Sequence, residues 1–257
     1  MIRPRSANDK PGDTGRRVAG PAIWTAAGPP RNAADQHSNG AAMLFDCAST
    51  KTENVYKLLT STIGPRPIAW VTTQDTDGTL NAAPFSFFNA MSGNPPVVAF
   101  GIGGRGPGDV KDTGGNIRRT GEFVVNLVSF ELAEPMNVTA IDFPKHVDEL
   151  KEAGLTTLPS LHVKPPRIAE APVSFECERL VIIDVGIDRA VVLGKVLAIY
   201  VRDDCVLDKD RCYIDTPKLD LIGRMHGGGW YSRVTDRFEL PRIPVDEWPL
   251  RKAKAAE

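Results

Sequence analysis

The 257-residue chain predicts a mainly β protein, an antiparallel barrel carrying a few short helices. Two observations lead there. Runs patterned as strands outnumber those patterned as helices, and hairpin signals recur between them, whereas an alternating parallel sheet would need a helical pattern after each strand.

In chain order, the first 42 residues are rich in Pro, Gly, Ala, Arg, Asp and Asn, with no sustained apolar period, and are expected to be disordered. Ile68 to Thr73 are mostly apolar, with β-branched and aromatic residues well represented, and the run ends at an Asp77-Gly78 turn, so a strand and a hairpin are expected. The returning strand, Asn81-Ala82-Ala83-Pro84, has small side chains against which a ligand could lie. Pro84 lacks an N–H, and pairing is expected to stop there. Phe85-Ser86-Phe87-Phe88-Asn89 then reads as a loop offering aromatics beside Ser86, Asn89 and free backbone amides. Those groups suit a flat amphipathic ligand such as an isoalloxazine ring, with an apolar floor for one end and hydrogen-bonding groups for the other. The same run also reads as ordinary core aromatics following a hairpin.

Further along, Val97 to Phe100 and Phe123 to Val128 read as strands. Between them, Lys111-Asp112-Thr113-Gly114-Gly115-Asn116 followed by Ile117 to Gly121 reads as a helix N-cap, a short helix and a terminating glycine. An open helix N-terminus, the Thr113 hydroxyl and the Lys111 cation would suit a phosphomonoester; a solvated helix capped by Asp112 or Thr113 is the plainer reading. Leu132 to Ile141 and Val147 to Ala153 read as short helices, with Pro135 in a first turn where it costs little. Val181 to Val185 and Ala190 to Val201 complete the strands, around a Gly186-Ile187-Asp188-Arg189 turn.

Taken together, PRPIAWVTT, NAAPFSFFN, the Pro95-Pro96 pair, KDTGGN and TGEFVVNLV resemble, in one order, the flavin reductase-like, FMN-binding split-barrel family in its flavoredoxin-type branch. The resemblance runs from about Met43 to Arg242. It implies a six-stranded antiparallel Greek-key split β-barrel, a homodimer with FMN at the subunit interface, and hydride or electron transfer through the flavin. It also implies FMN contacts at Thr72 and Thr73, along the loop Asn81, Ala82, Ala83, Pro84, Ser86, Phe87, Phe88 and Asn89, and at Lys111, Asp112, Thr113 and Asn116 near the phosphate. A GR-x-x-G-G-x-x-Y segment is placed near the flavin, which here would bring His226, Trp230 and Tyr231; a loop ahead of a final strand is the other reading of that stretch. Family members usually begin near Met43, so residues 1–42 are expected to be an extension or a misassigned start, with the flavin-binding domain over 43–242 and a tail over 243–257.

No catalytic acid or base is expected, because a flavin itself carries the reacting centre and NAD(P)H would supply the electrons. Short flavin reductases often carry a Gly-Asp-His turn where this chain has Gly186-Ile187-Asp188-Arg189. The missing histidine leaves three readings open: an NAD(P)H-dependent flavin reductase serving a monooxygenase or other acceptor, an FMN electron carrier reduced by a partner protein, and a non-catalytic flavin-binding dimeric scaffold. Gly101 to Gly106 satisfies G-x-G-x-x-G, but Pro107-Gly108 follows in place of a helix and no parallel βαβ unit can be traced, so a flexible loop near the cofactor phosphate is expected.

With 31 basic and 32 acidic residues the net charge is −1, which provides no general attraction to nucleic acid or membrane. No stretch approaches the roughly 18 apolar residues of a membrane-spanning helix. Cys47, Cys177, Cys205 and Cys212 show neither zinc nor disulfide spacing, and with scattered histidines no metal site is expected. Free thiols and a cytoplasmic protein follow, since the apolar run after Arg16-Arg17 is too short, and too broken by Gly20 and Pro21, for an export signal.

Overall fold

The computed structural model describes residues 42–104, 112–144, 147–249 and 251. The expectations for residues 1–41, for Lys111 and for the second half of the glycine-rich loop lie outside these. The chain divides into two units, Met1–Asp46 and Cys47–Glu257. In the first, the described residues 42–46 form neither helix nor strand.

In the second unit the elements run α1 (Thr52–Thr62), β1 (Arg66–Pro67), β2 (Ala69–Gln74), β3 (Leu80–Phe85), β4 (Phe88–Gly93), β5 (Pro96–Ile102), α2 (Asp112–Thr120) and β6 (Glu122–Asn126). A 3-10 turn leads into α3 (Ala133–Val138), followed by α4 (Glu149–Glu152), β7 (Thr157–Leu158) and β8 (Arg167–Ile168). The long hairpin β9 (Val173–Gly186) and β10 (Arg189–Val201) precedes β11 (Val206–Asp208), β12 (Tyr213–Ile214), β13 (Ile222–Arg224) and β14 (Tyr231–Arg233).

The main sheet is antiparallel throughout and has seven strands in the order β3-β2-β6-β9-β10-β5-β4. Its two edges, β3 and β4, are consecutive in sequence and joined only by Ser86 and Phe87. So short a link reaches about 10 Å at most. The sheet must therefore curl until its edges approach without laddering, which makes a barrel with a seam.

The expected six strands become seven because β4 is a strand where a loop was expected. Asn89 to Gly93 lack β-branched residues and are exposed, so β4 is held by its ladder to β5 (Phe88↔Phe100, Asn89↔Ala99, Ala90↔Val98) and has no burial pattern to reveal it. Pairing also continues past Pro84, to Phe85↔Ala69. On an edge strand, a proline nitrogen directed away from the ladder removes no bond from it.

β2 is buried on both faces, which explains its near-continuous apolar run. Ala69 and Val71 join Phe85, Phe100, Phe123 and Val192 inside the barrel, while Ile68 and Trp70 join Val128, Leu132, Met136 and Leu150 outside it. The Trp70 indole N–H donates to Thr139 Oγ1 at 2.9 Å, fastening α3 to the barrel. α2 ends as expected at Gly121, whose φ of +76° suits glycine. The strand expected over Val181 to Val185 begins eight residues earlier, at Val173, and its early half carries Glu176, Glu178 and Arg179, which obscured it.

Candidate functional site

The sequence-selected residues fall into three groups. The first is buried: Thr72, Thr73, Asn81, Ala82, Thr113 and Asn116 are each at most 8% exposed. β2 and β3 supply the first four and the first turns of α2 the others. Asn116 donates to Thr73 Oγ1 at 3.0 Å and accepts from Arg119 at 2.7 Å, and Arg119 in turn grips Asp75 through two bonds of 2.8 and 2.7 Å. With its amide oriented to satisfy its neighbours, Asn81 accepts from the Thr113 hydroxyl (2.8 Å) and the Ala82 N–H (3.2 Å) and donates to Glu149 Oε1 (3.3 Å). Thr72 donates to the Pro166 carbonyl at 2.6 Å. These side chains help to hold α2 and α4 onto the β2–β3 hairpin, and their polar atoms are engaged with one another or with neighbouring groups of the protein. Asp112 opens α2, where its charge complements the helix dipole.

Glu149, half-buried on α4, was not anticipated from sequence. Burial raises its carboxyl above the ordinary range, the charges of Asp112 and Asp148 push the same way, and its own N–H and that of Ala82 oppose them. Nothing local in the sequence marks it, since its partners lie some 67 residues away.

The second group sits at the barrel seam. Ser86, Phe87, Phe88 and Asn89 line an apolar cavity of about 460 Å3 together with Leu59, Ile63 and Met91. A second cavity, of about 580 Å3, lies across the wall formed by Pro65, Pro67, Phe88 and Asn89, which line both. The Phe87 ring stacks on Tyr56 at 6.2 Å between centroids, and its carbonyl accepts from Gly101 N–H at 2.8 Å. Ala83 and Pro84 are half-buried and line neither cavity.

The third group, His226, Trp230 and Tyr231, lines neither cavity. His226 and Trp230 are exposed, with ring centroids 5.7 Å apart, and Tyr231 bonds Arg224 through its hydroxyl. The segment is nevertheless tied to the seam, because Arg66 on β1 donates to the Met225 carbonyl at 2.8 Å while lining the smaller cavity. Arg66 is a second residue that the sequence reading passed over. Its signal was an arginine between two prolines at the head of an apolar run.

The glycine-rich loop has a packing reason at its start. A Cβ on Gly104 would lie 2.5 Å from Asp188 Cβ, so the chain needs glycine to pass the β9–β10 turn. β5 is antiparallel to both its neighbours, which rules out a dinucleotide-type parallel unit around it. At that turn Asp188 and Arg189 stand where a histidine is absent, and Arg118 of α2 pairs with Asp184.

Residues 62–216 match the family model described as flavin reductase like domain. The chain belongs to this family. Among solved structures it is similar to a 2-nitrobenzoate 2-nitroreductase of Pseudomonas fluorescens, at 34% identity and TM-score 0.71, covering 79% of this chain and 97% of that one. It is also similar to nitrilotriacetate monooxygenase component B of Bacillus cereus, at 31% identity and TM-score 0.73, covering 78% and 99%. A split barrel domain structure from Shewanella frigidimarina, at 23% identity and TM-score 0.67 and covering 79% and 100%, shares the fold. The seamed sheet is thus the split barrel of the flavin reductase-like proteins, and membership supports flavin binding and an oxidoreductase role in general terms. Among the described residues no helix is long and apolar enough to cross a membrane, and no cluster of His, Cys, Asp and Glu could hold a metal.

Proposed function

We propose that the protein is an FMN-binding oxidoreductase of homodimeric, cytoplasmic type, an NAD(P)H-dependent flavin reductase supplying a monooxygenase or another acceptor. The observation that carries this reading is the seam, where a chain of the flavin reductase-like family brings Ser86 to Asn89 against an aromatic-walled cavity of about 460 Å3. Cavities of this size fall within the range of roughly 300–1,000 Å3 usual for cofactor sites. The lining fits a flavin, with Phe87 and Phe88 for the ring faces and the Ser86 hydroxyl and Asn89 amide for its polar edge. The functional domain would span residues 43–242, flanked by an extension over 1–42 and a tail over 243–257.

When bound, FMN would supply the two-electron redox centre. The chain's own part is to bind, orient and exclude water. The seam residues would hold the flavin ring, and the apolar walls would limit the access of bulk water to it. Thr113 and Asn116, hydrogen-bonded inward to Asn81 and Thr73, fix α2, whose first N–H groups would be available to a phosphate. Asp112 acts electrostatically on Glu149 and would repel a phosphate dianion held at the start of α2, and Lys111 is proposed as the cation that would offset the phosphate. No side chain is assigned as an acid or base.

The turn Ile187-Asp188-Arg189, lacking a histidine, favours a second reading, a flavoredoxin-like electron carrier reduced by another protein. Anaerobic addition of NADH or NADPH to the FMN-supplemented protein decides between them: rapid bleaching of the flavin absorbance identifies the reductase, and a bound flavin that stays oxidised identifies the carrier. Lys111→Ala should weaken FMN more than riboflavin, which lacks the phosphate. Equal losses would remove Lys111 from the phosphate site.

A further inference from the structure

Arg66 is 5% exposed, and its Nε is the buried side-chain polar atom that has no hydrogen-bond partner among the described residues. Nη1 donates to the Thr60 and Ile63 carbonyls (2.6 and 2.9 Å) and Nη2 to the Met225 carbonyl (2.8 Å), leaving the Nε–H and one Nη2 proton without an acceptor. Elsewhere in the same chain that edge of the guanidinium is filled by a carboxylate: Arg119 grips Asp75, and Arg233 grips Asp220, each through Nε and Nη2. The strand partner directly opposite Arg66 is another arginine, Arg224, whose contacts are the hydroxyl and ring of Tyr231. Like charges directly opposite in a ladder repel, and a buried cation without a counter-ion is costly. Arg66 thus presents an unfilled donor edge in the wall of an apolar cavity, with a second cation opposite it on the ladder.

We propose that Arg66, with Arg224 beside it, forms an anion site in the wall of the seam cavity, taking the carboxylate or phosphate of a ligand whose flat apolar body lies in that cavity. The Phe87 ring, 45% exposed, has its centroid 6.0 Å from the Arg66 Cζ and lines the same cavity. The body of the ligand would then lie among Leu59, Ile63 and Met91. Nothing in this requires a flavin to be present. Two sources share the chemistry, the carboxylate of a separate aromatic acid and the phosphate of FMN, the second of which would move that phosphate from the α2 N-terminus of the proposed function to Arg66, and the probes below distinguish them.

The test is calorimetric titration of the full chain with benzoate, inorganic phosphate, riboflavin and FMN, repeated on Arg66→Lys, Arg224→Gln and Phe87→Ala. Arg66→Lys keeps the charge and can still reach the helix carbonyls but has no Nε–H edge, so anion affinity should fall about tenfold or more. Phe87→Ala, which removes an aromatic wall of the cavity, should weaken benzoate more than inorganic phosphate. Loss of FMN affinity with riboflavin unchanged identifies the flavin phosphate as the anion. Loss of benzoate affinity with both flavins unchanged identifies a separate aromatic acid. Unchanged affinity for all four probes in a folded Arg66→Lys protein overturns the proposal and reduces Arg66 to a tie between α1 and the Met225 loop. Should Arg66→Lys fail to fold, benzoate and phosphate binding unaltered in both Arg224→Gln and Phe87→Ala overturns it equally.

Discussion

Asn116→Ala separates two roles that one residue could play, holding a phosphate or holding a helix. The side chain is 2% exposed, donates to Thr73 Oγ1 at 3.0 Å and accepts from Arg119 at 2.7 Å. Truncation leaves the buried Thr73 hydroxyl without its donor, at a cost of about 1–3 kcal/mol. Arg119 keeps its two bonds to Asp75, so the loss of its bond to Asn116 adds at most about 1 kcal/mol at that partly exposed position. The sum is about 1–4 kcal/mol, and at roughly 2–4 °C per kcal/mol for a domain of this size the melting temperature should fall by about 2–16 °C. Urea unfolding followed by tryptophan fluorescence, to which the fully buried Trp70 contributes, provides the assay, run without flavin so that ligand linkage does not contribute. FMN and riboflavin affinities measured at a temperature where the variant is folded should weaken together and modestly, as α2 loosens. Stability within about 0.5 kcal/mol of the parent, with FMN affinity lost and riboflavin affinity kept, would refute the reasoning and make Asn116 a direct phosphate ligand.

Two other substitutions probe the frame. A Cβ on Gly194 would lie 2.3 Å from Cζ of the fully buried Phe123, so Gly194→Ala should cost about 1–3 kcal/mol through overpacking. Adding Phe123→Leu should recover part of that loss in a double-mutant cycle, and additive losses would show that the ring is not the obstacle. Glu149 has a raised carboxyl pKa when folded, so the folded state holds its proton more tightly than the unfolded chain, and stability falls as pH rises from the ordinary 4.5 through the folded value. Glu149→Gln should therefore melt higher than the parent at neutral pH, with the gap closing toward pH 4. A gap independent of pH would assign the effect to packing.

Some of this was legible in local pattern. The apolar run Ile68 to Thr73 announced a strand because both of its faces are buried, and Gly121 announced the end of α2 because a positive φ favours glycine. The Asp77-Gly78 and Gly186 to Arg189 turns fall where the chain reverses between β2 and β3 and between β9 and β10. β4 was hidden because an edge strand held by its ladder needs no hydrophobic alternation, and the first half of β9 because it carries charged residues, among them a buried glutamate. Glu176 can be buried since the Leu161 and His162 N–H groups donate to it, each at 2.7 Å, from a loop 15 and 14 residues earlier.

The sequence by itself determined the antiparallel β class, the run of motifs that resembles the flavin reductase-like family, and which residues carry groups suited to a flavin. The tertiary structure alone decided which way those groups face. Thr73, Asn81, Thr113 and Asn116 turn inward because each finds a polar partner across the β2–α2 or β3–α2 contact, whereas Ser86 to Asn89 meet a cavity because a two-residue link bridges the two edges of a curled sheet. Arg66 is left with an unfilled edge because its acceptors are carbonyls near in sequence and one 159 residues away, with no carboxylate between them. Burial and pairing are set by contacts between distant segments, and no local pattern encodes them.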